Sequence, residues 1–275
     1  MGVQLLGSER MSMSRPSRPF LSTALAAASL GAAMTPAAAG GLGLGSDWQV
    51  GGFVYVTPKY EGAKSYEVGG LPFIAPAGFD DTGWVQFRGP DDLRFRVLQF
   101  NGFEAGPLVG WRFDRDEGDA ARLRGLGDVD GGLVIGGYVA YDLGLFKPFI
   151  SYHHGVTGHD TGGLVRFGAE TKTNIGFASI TTTVGASYAD SDFTDAYFSV
   201  TSAQSAASLA NLGVHDAGAG IKDVYVGFTG NVPLSTSWTL MFSGRYSRLV
   251  GDAADSPIVE SENQFFGGLG LSYKF

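Results

Sequence analysis

Nine charged residues of this chain stand where charge is costly: Arg94, Arg96, Glu104, Arg112, Asp142, Arg166, Glu170, Lys172 and Arg245 all lie in or beside segments whose alternate positions are apolar. Successive side chains of a strand point to opposite faces, so these charges share the face turned away from the greasy one. On the inner wall of a closed sheet such a set can line a selective water-filled path, or it can pair into a salt-bridged plug. About twelve strands would enclose a lumen wider than that of an eight-stranded barrel and far narrower than that of a porin. A narrow, partly plugged interior is expected.

Other polar clusters are weaker. Gly251-Asp-Ala-Ala-Asp-Ser-Pro257 sets Asp252 and Asp255 three residues apart beside Ser256 and Pro257. The carboxylates could ligate Ca²⁺ or cap a short turn. Ca²⁺ takes six or more oxygens, so capping is the simpler reading. Gly127-Asp-Val-Asp-Gly-Gly132 resembles an EF-hand start but lacks the later ligands and the glutamate at position twelve, and it reads as a turn. His153 and His154 point to opposite faces of one strand, so at most one of them could join His159 and Asp160 around a metal; a polar strand end is the better reading. No Gly-x-Ser-x-Gly elbow, His-Glu-x-x-His or phosphate loop is present. No catalytic, cofactor or metal residues are therefore assigned, although a barrel can assemble a hydrolytic site across strands without any linear motif.

The elements that position these charges read as strands. Phe103, Ala105, Val109, Trp111 and Phe113 alternate with Glu104, Gly106, Gly110 and Arg112. Trp238, Leu240, Phe242 and Tyr246 stand opposite Thr239, Ser243 and Arg245. The final segment sets Phe265, Leu269, Leu271, Tyr273 and Phe275 against Gly268, Gly270, Ser272 and Lys274. One greasy face and one small or polar face is the lipid-out, lumen-in pattern of an outer-membrane barrel. Tyr273 and the C-terminal Phe275 fit the aromatic signal that barrel assembly machinery favours. Asn101-Gly102, Leu143-Gly144-Leu145 and Asn231 to Ser235 are read as short periplasmic turns. The stretches 114–130, 190–220 and 251–262 are read as outer loops. The result is an all-β, antiparallel, up-and-down transmembrane barrel of about twelve strands, provided that Asp195 to Val200 stays within an outer loop.

The N-terminus carries Arg10, Arg15 and Arg18, an apolar run from Phe20 to Met34, and Pro36-Ala-Ala-Ala39 before Gly40. That pattern is a signal peptide over residues 1–39, with the barrel over 40–275; Met11 or Met13 could equally be the start. The chain has 19 Lys+Arg and 27 Asp+Glu, of which the leader holds three and one, leaving 16 against 26 and a net charge of −10. That acidity excludes a nucleic-acid partner as the leading reading. With no Cys, an exported fold has no disulfides to brace it and must rely on a large sheet or core.

Gly218-Ala-Gly-Ile-Lys-Asp223, Tyr246 to Pro257 with its Gly-Asp-Ala-Ala-Asp-Ser-Pro motif, and Asn263 to Phe275 closely resemble the MipA/OmpV family of Gram-negative outer-membrane proteins. Pro58-Lys-Tyr-Glu-Gly62 with Tyr66, Gly127 to Gly132 and Asp195 to Val200 look like further landmarks of it, while the stretch from Phe79 to Pro90 fits less well. The resemblance implies a barrel embedded in outer-membrane lipids. For the family's namesake it implies a non-enzymatic scaffold that binds a murein lytic transglycosylase and a penicillin-binding protein. Other members are linked to adhesion and to antibiotic uptake, so a narrow channel for small solutes and a surface adhesin are the alternatives. It brings no catalytic residues to carry over.

Overall fold

The computed structural model describes residues 48–76, 84–158 and 161–275. The leader, residues 79–83 of the stretch from Phe79 to Pro90, His159 and Asp160 lie outside those residues. The chain runs β1 (Trp48–Pro58), β2 (Tyr66–Pro76), β3 (Val85–Gly89), β4 (Asp92–Phe95), β5 (Leu98–Phe100), β6 (Phe103–Arg112), β7 (Gly132–Tyr141), β8 (Lys147–Gly155), β9 (Gly163–Ile175) and β10 (Ala178–Ala189). Two short helices, α1 (Ser191–Tyr197) and α2 (Ser202–Ala207), precede β11 (Gly220–Pro233) and β12 (Trp238–Leu249). A single turn, α3 (Gly251–Asp255), leads to β13 (Asn263–Lys274). Because β4 and β5 both pair β6 and form one interrupted strand, the thirteen segments make twelve strands.

The sheet is an antiparallel meander that curls so that β13 returns to β1, with β2 and β3 at the two ends of its hydrogen-bonded order. Large apolar side chains such as Val54, Val68, Ile135, Ile150, Val184, Phe228 and Leu269 are exposed on the convex face. In water that would be a liability, but against hydrocarbon it is the solvated face, and the ladder satisfies the backbone. No helix among the described residues is long and apolar enough to cross a membrane.

Two departures from regular pairing have local causes. Between the Arg94↔Leu108 and Leu98↔Ala105 pairs, Phe95, Arg96 and Val97 face only Gly106 and Pro107. Pro107 has no N–H to donate, and a Cβ on Gly106 would lie 1.8 Å from the Phe95 carbonyl oxygen. The strand therefore bulges there and splits into β4 and β5. The second departure lies between β10 and β11, where Ser187 pairs Asp223 but Tyr188 pairs Ile221. Lys222 is the extra residue, and both Lys222 and Asp223 end up buried.

Leaving aside the connection from β2 to β3, which lies mostly outside the described residues, the long connections, residues 59–65, 113–131, 156–162, 190–219 and 250–262, fall at one end of the strands. The tight turns fall at the other, together with the C-terminus, where Phe275 N donates to Trp48 O at 2.9 Å. Asn101 (φ 48°) and Gly102 (φ 83°) form one such turn, with both residues left-handed as a type I′ hairpin requires. The expected turn at Asn231 to Ser235 is displaced. β11 continues to Pro233, which pairs Thr239, and the chain reverses at residues 234–237. Asp195 falls within α1 and Val200 bridges His215, so that stretch belongs to an outer loop.

The outer loops pack into a cap. Phe193, Tyr197, Phe198, Ala217 and Ala253 form one apolar cluster with Leu164 and Leu249 from the strand ends. Tyr60, Leu123, Leu126, Val200, Leu212 and Ile258 form a second. Burial of this kind, worth about 25 cal/mol per Å² of apolar surface, gives the loops a core of their own outside the bilayer.

Candidate functional site

Inside the wall, the charged residues lie in a paired network. Glu104 on β6 accepts from Lys147 on β8 at 2.9 Å and lies 3.6 Å from Arg96. Glu170 on β9 binds Arg88 on β3 at 3.0 Å, with Lys147 at 3.8 Å. Arg94 forks onto Asp92 at 2.8 and 2.9 Å while its guanidinium lies over the rings of Tyr138 and Phe149 at 4.9 and 5.1 Å. Arg166 forks onto Asp91 at 3.0 and 2.6 Å. Arg245 lies 3.5 Å from Asp223 and 3.7 Å above the Tyr225 ring. Planar guanidinium forks on carboxylates are among the strongest pairings available to buried charge.

Near the outer mouth, Arg112 donates through Nη1 to Thr161 O and Oγ1, both at 2.9 Å, and packs on the Phe193 ring at 4.9 Å. It thereby ties β6 to α1 of the cap. Lys222 is held between Asp223, at 2.7 Å, and Glu61 of the first outer loop, so the bulged strand is tied to the cap as well.

Two expected wall residues sit elsewhere. Asp142 lies beyond the end of β7, exposed in the turn, where its carboxylate accepts Gly144 N at 2.7 Å. It closes a turn and lines no lumen, because the strand already ends at Tyr141. Lys172 is on β9 but exposed towards the periplasmic end, below the paired layer. His153 is fully buried and inward, with Nδ1 3.0 Å from Asp91 O and Nε2 2.9 Å from Ser151 Oγ. His154 faces outward and stacks on Tyr152 at 6.0 Å.

Sequence reasoning missed Asp91, Asp92, Arg88, Lys147, Lys222, Asp223 and Glu61, the partners of the charges it found. Asp91 and Asp92 follow Gly89-Pro90, a pattern that reads as a solvated turn. Here the turn is tucked inward: Trp111 N donates to Pro90 O at 2.9 Å, and Asp91 reaches β9. Lys222 and Asp223 are adjacent, so strict alternation places only one of them inside. Only the bulge admits both.

The Gly251-to-Pro257 stretch is a latch between outer loops. Ser256 Oγ donates to Phe198 O at 2.5 Å and accepts from Ile258 N at 3.2 Å. Pro257 O accepts from Arg122 Nε at 2.8 Å, and Asp252 Oδ2 accepts from Gly218 N at 2.9 Å. Gly251 enters the turn with φ 58°, and Asp255 ends it. Among the described residues no group of three or more acidic, His or Cys side chains is arranged to hold a metal. Asp128 accepts Glu117 N at 2.8 Å, so Gly127 to Gly132 acts as a turn closing the 113–131 loop. Within the cap, Tyr60 donates to Glu260 at 3.1 Å and to Ile258 O at 3.2 Å. Burial and the Glu260 charge push the Tyr60 hydroxyl up. Burial also pushes the Tyr197 hydroxyl up to about 12, so both stay neutral at physiological pH.

At the C-terminus, Tyr273 and Trp238 face each other across β13 and β12 with ring centroids 5.0 Å apart, and Phe275 follows the last strand residue. Further along β12, Tyr246 packs on Phe265 with ring centroids 5.1 Å apart.

Comparison with known proteins places this architecture. The family model described as MltA-interacting protein MipA matches residues 50–275, essentially all of the barrel. The chain belongs to this family. Within it, the MipA-family chain is 32% identical over 105 residues to the outer membrane protein YiaT of Escherichia coli K12, covering 38% of this chain and 41% of that protein. It is 31% identical over 102 residues to outer membrane protein OmpV of Vibrio cholerae, covering 37% and 38%. The matched stretch thus spans about two fifths of the length of these curated relatives. Among solved structures, an outer membrane channel from Pseudomonas putida F1 aligns with 84% of this chain and 96% of its own at 11% identity, with a TM-score of 0.38. The protein is an outer-membrane β-barrel.

Proposed function

We propose that this MipA-family barrel is a non-enzymatic scaffold that holds a murein lytic transglycosylase and a penicillin-binding protein against its periplasmic turns. The observation that carries this reading is the obstruction of the lumen: ion pairs cross the described interior, and a cap with its own apolar core lies at the outer mouth. A barrel obstructed in this way offers partners its two ends, and the end facing the cell wall carries the tight turns. Those turns expose Leu145 (79%), Phe177 (74%) and Leu234 (57%), apolar anchors of the kind that dominate protein interfaces. The family's description as MltA-interacting supports the same partner class.

The experiment is capture of partners from solubilised native outer membranes on the tagged barrel. Enrichment of a murein lytic transglycosylase or a penicillin-binding protein over an unrelated barrel of similar size is expected. Equal recovery on both barrels would remove the support.

A further inference from the structure

The β3–β4 hairpin is built unlike the rest of the wall. At about 3.3 Å per residue, five-residue β3 is too short to cross the hydrocarbon, which takes about nine to eleven residues of tilted strand, and β4 runs only four residues before the bulge that separates it from β5. On one side the residue pairs between β4 and β6 are Leu93↔Val109 and Arg94↔Leu108 only; the ladder is interrupted at Phe95 and Arg96 and resumes where Val97 N donates to Ala105 O at 3.1 Å. On the other side no ladder joins β3 to β2 among the described residues. The tip turns inward and crosses the inner surface as far as β9, held by Asp91 on Arg166, Arg88 on Glu170 and the Pro90 carbonyl on Trp111 N. Its inward position is also incompletely satisfied. Gln86 is fully buried, and neither its amide oxygen nor its amide nitrogen has a hydrogen-bond partner. A buried amide left unpaired weighs against the state that buries it.

We propose that this hairpin, residues 85–95, is a displaceable plug, and that swinging it off β6 about Arg96 and Val97 opens a path for small anions past Arg112 and Arg166. The selectivity follows from what stays behind. Displacement removes Asp91 and Asp92 together with Arg88 and Arg94, while Glu104 and Glu170 keep Lys147 and Asp223 keeps Lys222. Arg166 loses its carboxylate. Arg112 has none: its Nη1 is satisfied by Thr161 and Gly162, and its buried Nη2 has no hydrogen-bond partner, as is also true of Arg166 Nε. A Cβ on Gly110 would lie 2.4 Å from Asp91 Cα, and Arg112 is the next residue along the same inner face of β6, so Arg112 and Arg166 both stand beside the hairpin tip. Arginine-lined constrictions favour anions.

Single-channel recording in planar bilayers with a potassium chloride gradient tests this. Asp91→Asn removes the Arg166 pairing and is expected to open at least tenfold more often than the native barrel, with a reversal potential on the chloride side. Arg166→Gln should open as often and lose most of that preference. Where Asp91→Asn fails to assemble, judged by heat-modifiable gel mobility, Arg166→Gln carries the opening test. Because the chain contains no Cys, Leu93→Cys with Val109→Cys makes a clean lock for β4 on β6 in either background. Oxidation should silence the openings and reduction restore them. Variants as silent as the native barrel, openings that persist in the oxidised lock, or cation preference in Asp91→Asn would each overturn the proposal. Partner capture by the locked barrel reads the scaffold role separately.

Discussion

Arg166 on β9 grips Asp91, 75 residues earlier in the chain, through two hydrogen bonds of 3.0 and 2.6 Å, which pins a hairpin tip over the inner faces of β6 to β9. The pairing ties the β3–β4 end of the sheet to β9 along the inner face. It makes the interior a folded part of the protein, with consequences for stability that differ between the barrel and its cap.

The Lys222, Asp223 and Glu61 cluster is costly to disturb. Asp223→Ala leaves the Lys222 ammonium buried with one partner fewer and takes a carboxylate from Arg245. Loss of about 3–5 kcal/mol is expected, as for other buried pairs broken on one side. Urea unfolding in detergent micelles should show a midpoint well below that of the native barrel, and an unchanged midpoint would exclude a structural role for the pair.

Gly106 should tolerate no side chain. The Phe95 carbonyl oxygen occupies the place of its Cβ, so Gly106→Ala must push β4 off β6. Folded yield in vesicles, read by heat-modifiable mobility, is expected to fall several-fold, whereas Gly52→Ala, which meets nothing within 4 Å, should assemble normally.

Ser256→Ala unlatches the cap and leaves the wall intact. It removes the bond to Phe198 O and the one from Ile258 N, at a cost of about 1–3 kcal/mol. Limited proteolysis of intact vesicles should cut the 190–219 and 250–262 loops faster, with the same midpoint for barrel unfolding. Equal cleavage rates would show that the latch contributes nothing.

Acid should loosen the same cap. Burial works to raise the Glu260 carboxyl, but hydrogen bonds from Lys64 and Tyr60 outweigh it and hold the group below its ordinary range. A carboxylate depressed in the folded state stabilises fully above its unfolded value, near pH 4.3, and that contribution is lost as pH falls through the folded value. Loop cleavage by an acid-active protease should therefore rise below about pH 4 in the native chain. Glu260→Gln should remove most of that rise.

Twelve strands, their faces and most of the turns were legible because lipid on one side and a lumen on the other impose a period of two over whole segments. Glu104, Arg112 and Arg166 were legible for the same reason. What escaped were places where a local rule is broken for a tertiary gain. Asp91 and Asp92 sit in a Gly-Pro turn that happens to be turned inward. Lys222 and Asp223 share the interior only through a bulge. Asn231 to Pro233 look like turn residues, yet pairing with β12 extends the strand through them. Asp142 has the parity of a wall residue but comes one position after the strand ends. The packing of three outer loops on one another through Tyr60, Phe198 and Ile258 has no periodic trace in sequence at all.

Binding between the nanodisc-embedded barrel and a purified murein lytic transglycosylase bears most directly on the scaffold role. Saturable binding absent from an unrelated barrel is predicted. Leu145→Asp with Phe177→Asp in the periplasmic turns should weaken it at least tenfold, about 1.4 kcal/mol. Binding no stronger than that of the unrelated barrel, or binding untouched by the double variant, would contradict it.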